Sequence, residues 1–319
     1  MQMDFEDPLS SETSVVVIGA AGVDLVGRLK NELQRDTSNP SQIRSSFGGV
    51  ARNVAENLAR LGQRVSLLTA VGDDQMGDQL LELTASAGVD THAVVRTSDW
   101  PTSTYLAVIN SKGELQFALD DMRAISAISP SFILSQKKLI EVAQMVFVDT
   151  NLTKDSLRTA INLARKAGVP VCANPTSISL AKKLLPHLSK LQMVTPNHIE
   201  AGILCERVIN PASRQDTLDA AKCLVSQGVE IAIITLAKFG LCYATSETYG
   251  FIPGIKSEIV DPTGGGDALT ATIIFGLLNQ IPIDEAVRLG VSAATLTLNY
   301  PGAVVPDLSL EKLYNTLVI

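Results

Sequence analysis

Short segments rich in β-branched residues alternate with segments of helical periodicity along most of this 319-residue chain. Such alternation predicts a mainly parallel sheet with helices on both faces, so we expect an α/β fold. The strand predictions cover residues 14–19, 64–71, 145–148, 169–173, 192–195, 231–236 and 241–244. The helix predictions cover residues 50–61, 79–87, 154–167, 217–227 and 268–279.

Two regions interrupt this alternation, at about residues 24–47 and 94–119. The first is polar and rich in turn residues, with a strand candidate at 41–46. The second has the pattern of a hairpin, with strands predicted at 102–109 and 114–119. We expect the two regions to pair into a small second sheet that forms a lid; a surface excrescence or a dimer contact is the alternative.

The composition limits the partners and the location of the protein. The chain has 26 Lys and Arg against 33 Asp and Glu, a net charge of −7, and no basic run longer than Lys182-Lys183. These features argue against nucleic acid polymers and anionic membranes as partners. Residues 1–13 lack the apolar segment of a signal peptide, and no apolar run reaches membrane-spanning length. We therefore expect a cytoplasmic protein with a disordered tail at 1–13 and one domain at 14–319.

Three consecutive glycines, Gly264, Gly265 and Gly266, come shortly before an apolar run at 268–278. Glycines pack little and cost backbone entropy, so they indicate a place where N–H groups approach a ligand closely. At a helix N-terminus, unpaired N–H groups and the positive end of the helix dipole form an anion site. A bound phosphate would repel the carboxylate of Asp267 unless this residue had a function there. We predict that it is a general base, which takes a proton from an attacking hydroxyl group. The alternative is a glycine-rich turn in which Asp267 is an ordinary helix-start residue.

A second glycine-rich helix start, Gly48-Gly49, precedes the helix predicted at 50–61. Asn53 lies one turn into this helix on the face of Gly49, and its amide can both donate to and accept from a vicinal diol. Asp24 follows the first strand, where parallel sheets bind ligands, and can accept hydrogen bonds from sugar hydroxyl groups. Taken alone, Asn53 also fits a solvent-facing position and Asp24 a turn.

Two further polar segments follow predicted strands. Asn197 and Glu200 come after the strand at 192–195, where a carboxylate near a triphosphate is best explained as a ligand of Mg²⁺-bound water. The same spacing after Pro196 matches a helix capping box, and both interpretations can hold together. Residues 235–240 leave another strand through a turn suited to nucleotide phosphate or ribose. All these segments lie at strand ends in an order compatible with one crevice, which strengthens their joint interpretation.

These residues resemble the ribokinase-like (PfkB) carbohydrate kinases, and the match runs over almost the whole chain. The N-terminal signature of the family is similar to residues 48–53 and continues through 71–77. The C-terminal signature is similar to Asp261-Pro262-Thr263-Gly264-Gly265-Gly266-Asp267, and the Asn-x-x-Glu motif to residues 197–200. The resemblance implies a three-layer α/β/α sandwich with a central, mainly parallel sheet and a small β-sheet lid. It also implies transfer of the ATP γ-phosphoryl group to a primary hydroxyl group.

The family resemblance implies a role for each site residue. The catalytic residues are Asp267 as base and the amides of Gly264, Gly265 and Gly266 as anion hole. The residues implied to bind ATP are Asn197, Thr235, Gly240, Gly264 and Gly266, with Glu200 holding Mg²⁺ through water. The residues implied to hold the sugar are Asp24, Gly49, Asn53 and Asn151. Loops around Asp261, Thr263 and Gly302 are expected to supply carbonyl groups to a monovalent cation such as K⁺.

Within the family the likeness is greatest to pseudouridine kinases. It rests on residues 38–40, 48–58, 102–106, 120–122 and 149–151. Arg52 before the signature Asn and Asp121-Met122 after the predicted hairpin are less general than the two signatures. This subgroup implies phosphorylation of the 5′-hydroxyl group of pseudouridine. Other sugar or nucleoside kinases (ribokinase-, fructokinase- or adenosine kinase-like) and a non-catalytic sugar or nucleoside sensor are the alternatives. A dinucleotide-binding dehydrogenase is disfavoured because residues 19–22 lack the G-x-G-x-x-G spacing.

Two further expectations concern the lid and the nucleotide strand. A lid sheet with an exposed edge can pair between subunits, so we expect a homodimer through the lid. At the nucleotide strand the family commonly has Thr-x-Gly-x-x-Gly, whereas this chain has Ala237 in place of the first glycine. We expect Ala237 to tighten this turn and to weaken or reshape the contact with ATP.

Overall fold

The computed structural model describes residues 15–257 and 259–317, so the tail predicted at 1–13 lies outside the described residues. The strands are, in chain order, β1 (Val15–Ile18), β2 (Gly22–Leu29), β3 (Ser41–Gly48), β4 (Val65–Gly72), β5 (Val89–Asp90), β6 (Val94–Thr97), β7 (Thr104–Ile109), β8 (Leu115–Asp121), β9 (Met145–Asp149), β10 (Val171–Asn174), β11 (Met193–Val194), β12 (Ile231–Thr235), β13 (Leu241–Ala244) and β14 (Tyr249–Ile252). The α-helices are α1 (Val50–Arg60), α2 (Gln75–Ser86), α3 (Pro130–Ser135), α4 (Lys137–Glu141), α5 (Lys154–Lys166), α6 (His198–Leu204), α7 (Arg214–Ser226), α8 (Gly265–Leu278), α9 (Ile283–Leu298) and α10 (Leu310–Thr316).

The large sheet contains ten of the described strands in the order β14-β13-β12-β11-β10-β9-β1-β4-β5, with β6 also paired to β4. All its pairs are parallel except β12–β13 and β13–β14. The predicted α/β class with a mainly parallel sheet is therefore confirmed. Strand β1 lies between β4 and β9, so the strand order reverses beside it. Ligands bind at such a switch point, at the carboxyl ends of the strands.

Helices cover both faces of the large sheet, which gives the expected three layers. Val15 and Val17 of β1 face one side and belong to a core that α1, α8 and α9 complete. Val16 and Ile18 face the other side and pack in a core with α5, α6 and α7. All four side chains are fully buried, as is usual for the central strand of a sheet covered on both faces.

A second sheet contains four strands in the order β3-β2-β7-β8. Strand β2 pairs antiparallel with β3 and parallel with β7, and β7 pairs antiparallel with β8. The two predicted regions thus form a small sheet, with two corrections. Strand β2 was not predicted, because Gly22, Asp24, Gly27 and Arg28 have low β-propensity and only pairing on both sides makes this segment a strand. Residues 94–97 belong to the large sheet as β6 and not to the small one.

Three helices begin earlier than the sequence predicts. Helix α7 starts at Arg214 and not at residue 217, because the Ser213 side chain accepts a hydrogen bond from Asp216 N at 3.2 Å and caps it. Helix α2 starts at Gln75 and not at residue 79, because the Asp74 side chain accepts a hydrogen bond from Gly77 N at 2.8 Å and caps the helix. Helix α8 starts at Gly265, so two of the three glycines form its first turn. The glycines are therefore part of the helix start itself, which places their N–H groups at its positive end.

Candidate active site

Asp149 at the carboxyl end of β9 fixes the chain around the switch point. Its Oδ2 accepts hydrogen bonds from Ala20 N at 2.8 Å and from Ala51 N at 3.2 Å, and its Oδ1 accepts one from Asn151 N at 2.9 Å. The carboxyl group is fully buried, and desolvation raises its pKa. Asp149 therefore ties the loop after β1 to the first turn of α1. The sequence analysis did not assign it a role, although an Asp that ends an apolar strand is a usable signal.

The first turns of α1 and α8 meet through Asn53 and Asp267. Asn53 Nδ2 donates a hydrogen bond to Asp267 Oδ2 at 2.8 Å. Desolvation raises the pKa of Asp267 to about 7; the Asn53 hydrogen bond lowers it, and the negative charges of Asp149 and Asp24 raise it. The side chain is nevertheless only half-buried. This carboxyl group can therefore both exchange a proton near neutral pH and reach a ligand.

The three glycines leave the start of α8 open. Gly264 has φ 77°, in the left-handed region, and a Cβ there would collide with the carbonyl group of Ala303. A Cβ at Gly266, in contrast, would have no heavy atom within 4 Å. No side chain of the described residues caps this helix. Its first N–H groups therefore have no capping side chain as a partner among the described residues, as an anion site requires.

Asp24 lies on β2 beside this centre. A Cβ at Gly48 would collide with the Asp24 carboxyl group, so glycine leaves room for this side chain. Desolvation and then the charge of Asp261 raise the pKa of Asp24 to about 6, and the charge of Arg52 lowers it. Gly49 packs against the loop that follows β1, since its Cβ would lie 2.5 Å from Ala20 O. The structure thus brings together the four predicted sugar-binding residues, which are Asp24, Gly49, Asn53 and Asn151.

Asn197 and Glu200 form the capping box at the start of α6. Asn197 Oδ1 accepts hydrogen bonds from the N–H groups of Ile199 and Glu200, both at 2.9 Å, and Glu200 Oε2 accepts one from Asn197 N at 2.9 Å. Glu200 is 5% exposed, and burial raises its pKa. Asn197 also pairs with Thr235 in a parallel bridge, so these two predicted nucleotide residues are neighbours. The predicted capping box is confirmed, and only Oε2 of the carboxylate takes part in it.

The turn after β12 is held by a hydrogen bond from Leu236 N to Gly240 O at 2.8 Å. Within it Ala237 has φ 51°, in the left-handed region that favours glycine. Thr270 of α8 lies next to the adjoining strand end, with its Oγ1 3.0 Å from Thr195 Oγ1. The strand ends that carry Asn197 and Thr235 therefore border the glycine-rich helix α8.

The loop before the glycines is held by its own acidic residue. Asp261 is 1% exposed and forms an ion pair with Arg44 of β3. Its Oδ1 accepts hydrogen bonds from Thr263 Oγ1 at 2.7 Å and from Thr263 N at 3.1 Å. Among the described residues, the carbonyl oxygens of Asp261, Thr263 and Gly302 accept no backbone hydrogen bond. The sequence analysis missed Arg44, because nothing in the polar segment around it distinguishes one basic residue from another.

A cavity of about 650 Å³ lies between the small sheet and this loop. The loop contributes residues 260–263, and the side chains that line the cavity from the small sheet include Val26, Arg44, Tyr105, Ala107 and Ile109. The volume lies in the range of small-molecule sites.

The part of the chain that the structure describes contains no helix long and apolar enough to cross a membrane. It also contains no group of three or more His, Cys, Asp or Glu side chains that could hold a metal ion.

Comparison with known proteins identifies the class. The profile of the pfkB family carbohydrate kinases matches residues 12–309, so the chain belongs to this family. It is therefore a sugar or nucleoside kinase, a phosphotransferase with an alcohol group as acceptor. The chain is 30% identical to the pseudouridine kinase of Escherichia coli over 297 residues, which are 93% of this chain and 94% of that protein.

Two further relatives agree with this assignment. The chain is 27% identical to the guanosine-inosine kinase of Exiguobacterium acetylicum over 300 residues, with 92% of this chain and 97% of that protein covered. The solved structure of a carbohydrate kinase from Agrobacterium tumefaciens superposes with a TM-score of 0.81 at 26% identity, and covers 96% of this chain and 97% of that one. The predicted ribokinase-like fold is thus confirmed.

Proposed function

We propose that this protein transfers the γ-phosphoryl group of ATP to the 5′-hydroxyl group of pseudouridine. The observation that carries the proposal is the hydrogen bond between Asn53 and Asp267, which brings a sugar-binding amide and a carboxylate to one glycine-rich helix start. Asp267 takes the proton of the hydroxyl group as the new O–P bond forms and the bond to the β-phosphate oxygen breaks. A pKa of about 7 suits this step, because the base is then available at neutral pH.

The glycine amides stabilise the charge that develops on the transferred group. The N–H groups at Gly264, Gly265 and Gly266 lie at the positive end of α8, where a phosphoryl anion is favoured. Because no described side chain caps the helix, these donors need no rearrangement before they meet the anion.

Residues beside Asp267 hold the acceptor ribose. Asn53 offers its amide and Asp24 its carboxylate to the ribose hydroxyl groups, while Gly49 and Asn151 complete the wall. The small sheet acts as the lid of one kinase domain and keeps water from the reaction. The cavity beneath it has room for a base attached to the ribose.

ATP lies along the strand ends of β11 and β12, at Asn197, Thr235 and Gly240. Glu200 fits Mg²⁺ bound through water, because only its Oε2 is used by the helix cap and Oε1 is left for such a contact. When bound, Mg²⁺ neutralises charge on the β- and γ-phosphates. The carbonyl groups of Asp261, Thr263 and Gly302 fit a monovalent cation such as K⁺, since none of them accepts a backbone hydrogen bond from a described residue.

Support for pseudouridine as the acceptor comes from the E. coli relative and from two local features. Arg52 precedes the signature Asn53, and Asp121-Met122 lies at the end of β8, the last strand of the lid. The guanosine-inosine kinase relative favours a nucleoside acceptor in general, so purine nucleosides are the second candidate.

The test is ADP release by the purified protein with Mg²⁺-ATP and one acceptor at a time, at the same concentration. The acceptors are pseudouridine, uridine, inosine, guanosine, adenosine, ribose and fructose. We expect a strong preference for pseudouridine. Preference for another acceptor would support the kinase activity and contradict pseudouridine as the substrate. ATP binding without ADP release with any acceptor would favour a sensor.

We further propose that the lid mediates a homodimer. Its outer face carries a row of apolar side chains, in which Ile43 is 74% exposed and Phe117 and Leu119 are also exposed. Such a face is rarely left uncovered. Sedimentation of the wild-type protein should give a dimer, and Ile43→Glu should give a monomer. A wild-type protein that sediments as a monomer would contradict the dimer.

A further inference from the structure

Arg52 is a buried guanidinium group in the first turn of α1, directly before Asn53. Its side chain is only 8% exposed, so it is largely closed off from the space where an acceptor binds. Nη1 donates hydrogen bonds to Phe47 O at 3.0 Å and to Asn53 Oδ1 at 3.3 Å. Nη2 forms an ion pair with Glu56, one helical turn further on. Arg52 therefore connects the end of β3, the Asn53 amide and the body of α1.

Arg52 and Asp267 hold the two ends of the Asn53 amide, and the contact with Arg52 favours the orientation in which its NH₂ group faces Asp267. A guanidinium group only donates hydrogen bonds, so the Asn53 atom opposite Arg52 has to be the oxygen. The Asn53 NH₂ group then points to Asp267, where it donates at 2.8 Å. Without Arg52, rotation of the amide by half a turn would place two acceptors, Asn53 Oδ1 and the Asp267 carboxylate, against each other.

The charge of Arg52 also acts on Asp24. Burial and the neighbouring charge of Asp261 both raise the pKa of the Asp24 carboxyl group, and the Arg52 guanidinium group lowers it. Arg52 thus favours the ionised form of Asp24, which is the form that only accepts hydrogen bonds.

We propose that Arg52 is a positioning residue for acceptor binding, which orients the Asn53 amide. Arg52 has this role only if Asn53 binds the acceptor, as the proposed function states. A lysine at this position keeps the charge but cannot donate in two fixed directions, so it retains the effect on Asp24 and loses the orientation of Asn53.

Arg60 provides a matched control. It also pairs with Glu56, through Nη2 at 2.6 Å and Nε at 3.0 Å, and none of its hydrogen bonds or ion pairs among the described residues reaches Asn53. Arg52→Met and Arg60→Met therefore each remove one guanidinium group that pairs with Glu56. Only Arg52→Met also removes the contact with Asn53.

The experiment compares Arg52→Met, Arg52→Lys and Arg60→Met in steady-state kinetics and in ¹⁵N spectra of the Asn53 side-chain amide. We expect Arg52→Met to raise the acceptor KM about tenfold or more, with the ATP KM within about twofold and the Asn53 NH₂ signals shifted. Arg52→Lys should shift the same signals, while Arg60→Met should leave both KM values within about twofold and the signals in place. Equal acceptor KM values for Arg52→Met and Arg60→Met, with unshifted Asn53 signals, would overturn the proposal.

The two readouts separate this proposal from the proposed function. If the wild-type protein phosphorylates no acceptor, the proposed function fails, and the Asn53 signals of the unliganded variants still test the orientation by Arg52. If Arg52→Met does not fold because Glu56 is left with one partner, Arg52→Lys decides by the same measurements. Unshifted Asn53 signals in a folded Arg52→Lys would then overturn the orienting role.

Discussion

Arg44 of the small sheet forms an ion pair with Asp261 of the loop that leads into the three glycines. The pair joins two parts of the protein that the sequence separates by 217 positions. Since Asp261 is buried and also acts on Asp24, we expect the pair to couple the position of the proposed lid to the charges beside the proposed acceptor site.

Removal of this pair should affect both acceptor binding and stability. Arg44 is partly exposed, but Asp261 is buried and would keep only its hydrogen bonds from Thr263, so we expect Arg44→Met to lower the free energy of unfolding by roughly 1–3 kcal/mol. The acceptor KM should rise roughly tenfold, because Asp261 is left unpaired and the lid loses its contact. Lys112→Met, in the exposed turn between β7 and β8, is the control. If both variants have the wild-type acceptor KM, the ion pair does not couple the lid to the site.

Asn53→Ala should weaken acceptor binding selectively. Asn53 would donate to one ribose hydroxyl group and accept from another, and loss of each such neutral hydrogen bond costs about 0.5–1.5 kcal/mol, so we expect the acceptor dissociation constant to rise by roughly 5- to 100-fold. Titration calorimetry with the acceptor and, separately, with ATP measures the two affinities. A comparable loss of affinity for ATP would show that Asn53 does not belong to the acceptor side.

The raised pKa of Asp267 predicts how the stability of the protein depends on pH. The folded-state pKa of about 7 exceeds the ordinary value of 3.8, so the folded protein holds this proton more tightly than the unfolded chain. The stability supplied by this group is then present below about pH 4 and is lost as the pH rises through about 7. Asp267→Asn has no carboxyl group to ionise, so it should not lose this stability as the pH rises. Its melting temperature should therefore exceed that of the wild type at pH 8, with a smaller difference at pH 5. An equal difference at both pH values would contradict the raised pKa.

Replacement of Ala237 by glycine should raise both the stability of the protein and its affinity for ATP. An alanine in the left-handed region costs roughly 1 kcal/mol that glycine does not, so Ala237→Gly should raise the stability by about this amount or less. We also expect a lower ATP KM, because the turn borders the proposed nucleotide site. Glu206→Gly, at φ 53° after α6, is the control that should change stability and leave the ATP KM as it is. An unchanged ATP KM in Ala237→Gly would show that the turn does not shape the nucleotide contact.

Much of the fold could be predicted from local patterns, and the site only in part. Strand and helix periodicity identifies β1 and α1, and glycine-rich segments at helix starts identify Gly49 and Gly264, because these signals are local. Arg44 and strand β2 could not be found in this way, and the place of Asp149 at the end of an apolar strand does not reveal its partners. Their roles arise from contacts across the chain, such as Asp149 with Ala20 and Ala51, and an apolar or charged pattern carries no information about such partners.

The most direct test of the central claim is ³¹P NMR of the product formed from Mg²⁺-ATP and pseudouridine, with the wild type and Asp267→Asn side by side. We expect the wild type to give pseudouridine 5′-phosphate and ADP in equal amounts. Asp267→Asn should form the product about 10²- to 10⁴-fold more slowly while still binding pseudouridine. No phosphorylated pseudouridine with the wild type, or an equal rate with Asp267→Asn, would contradict the account.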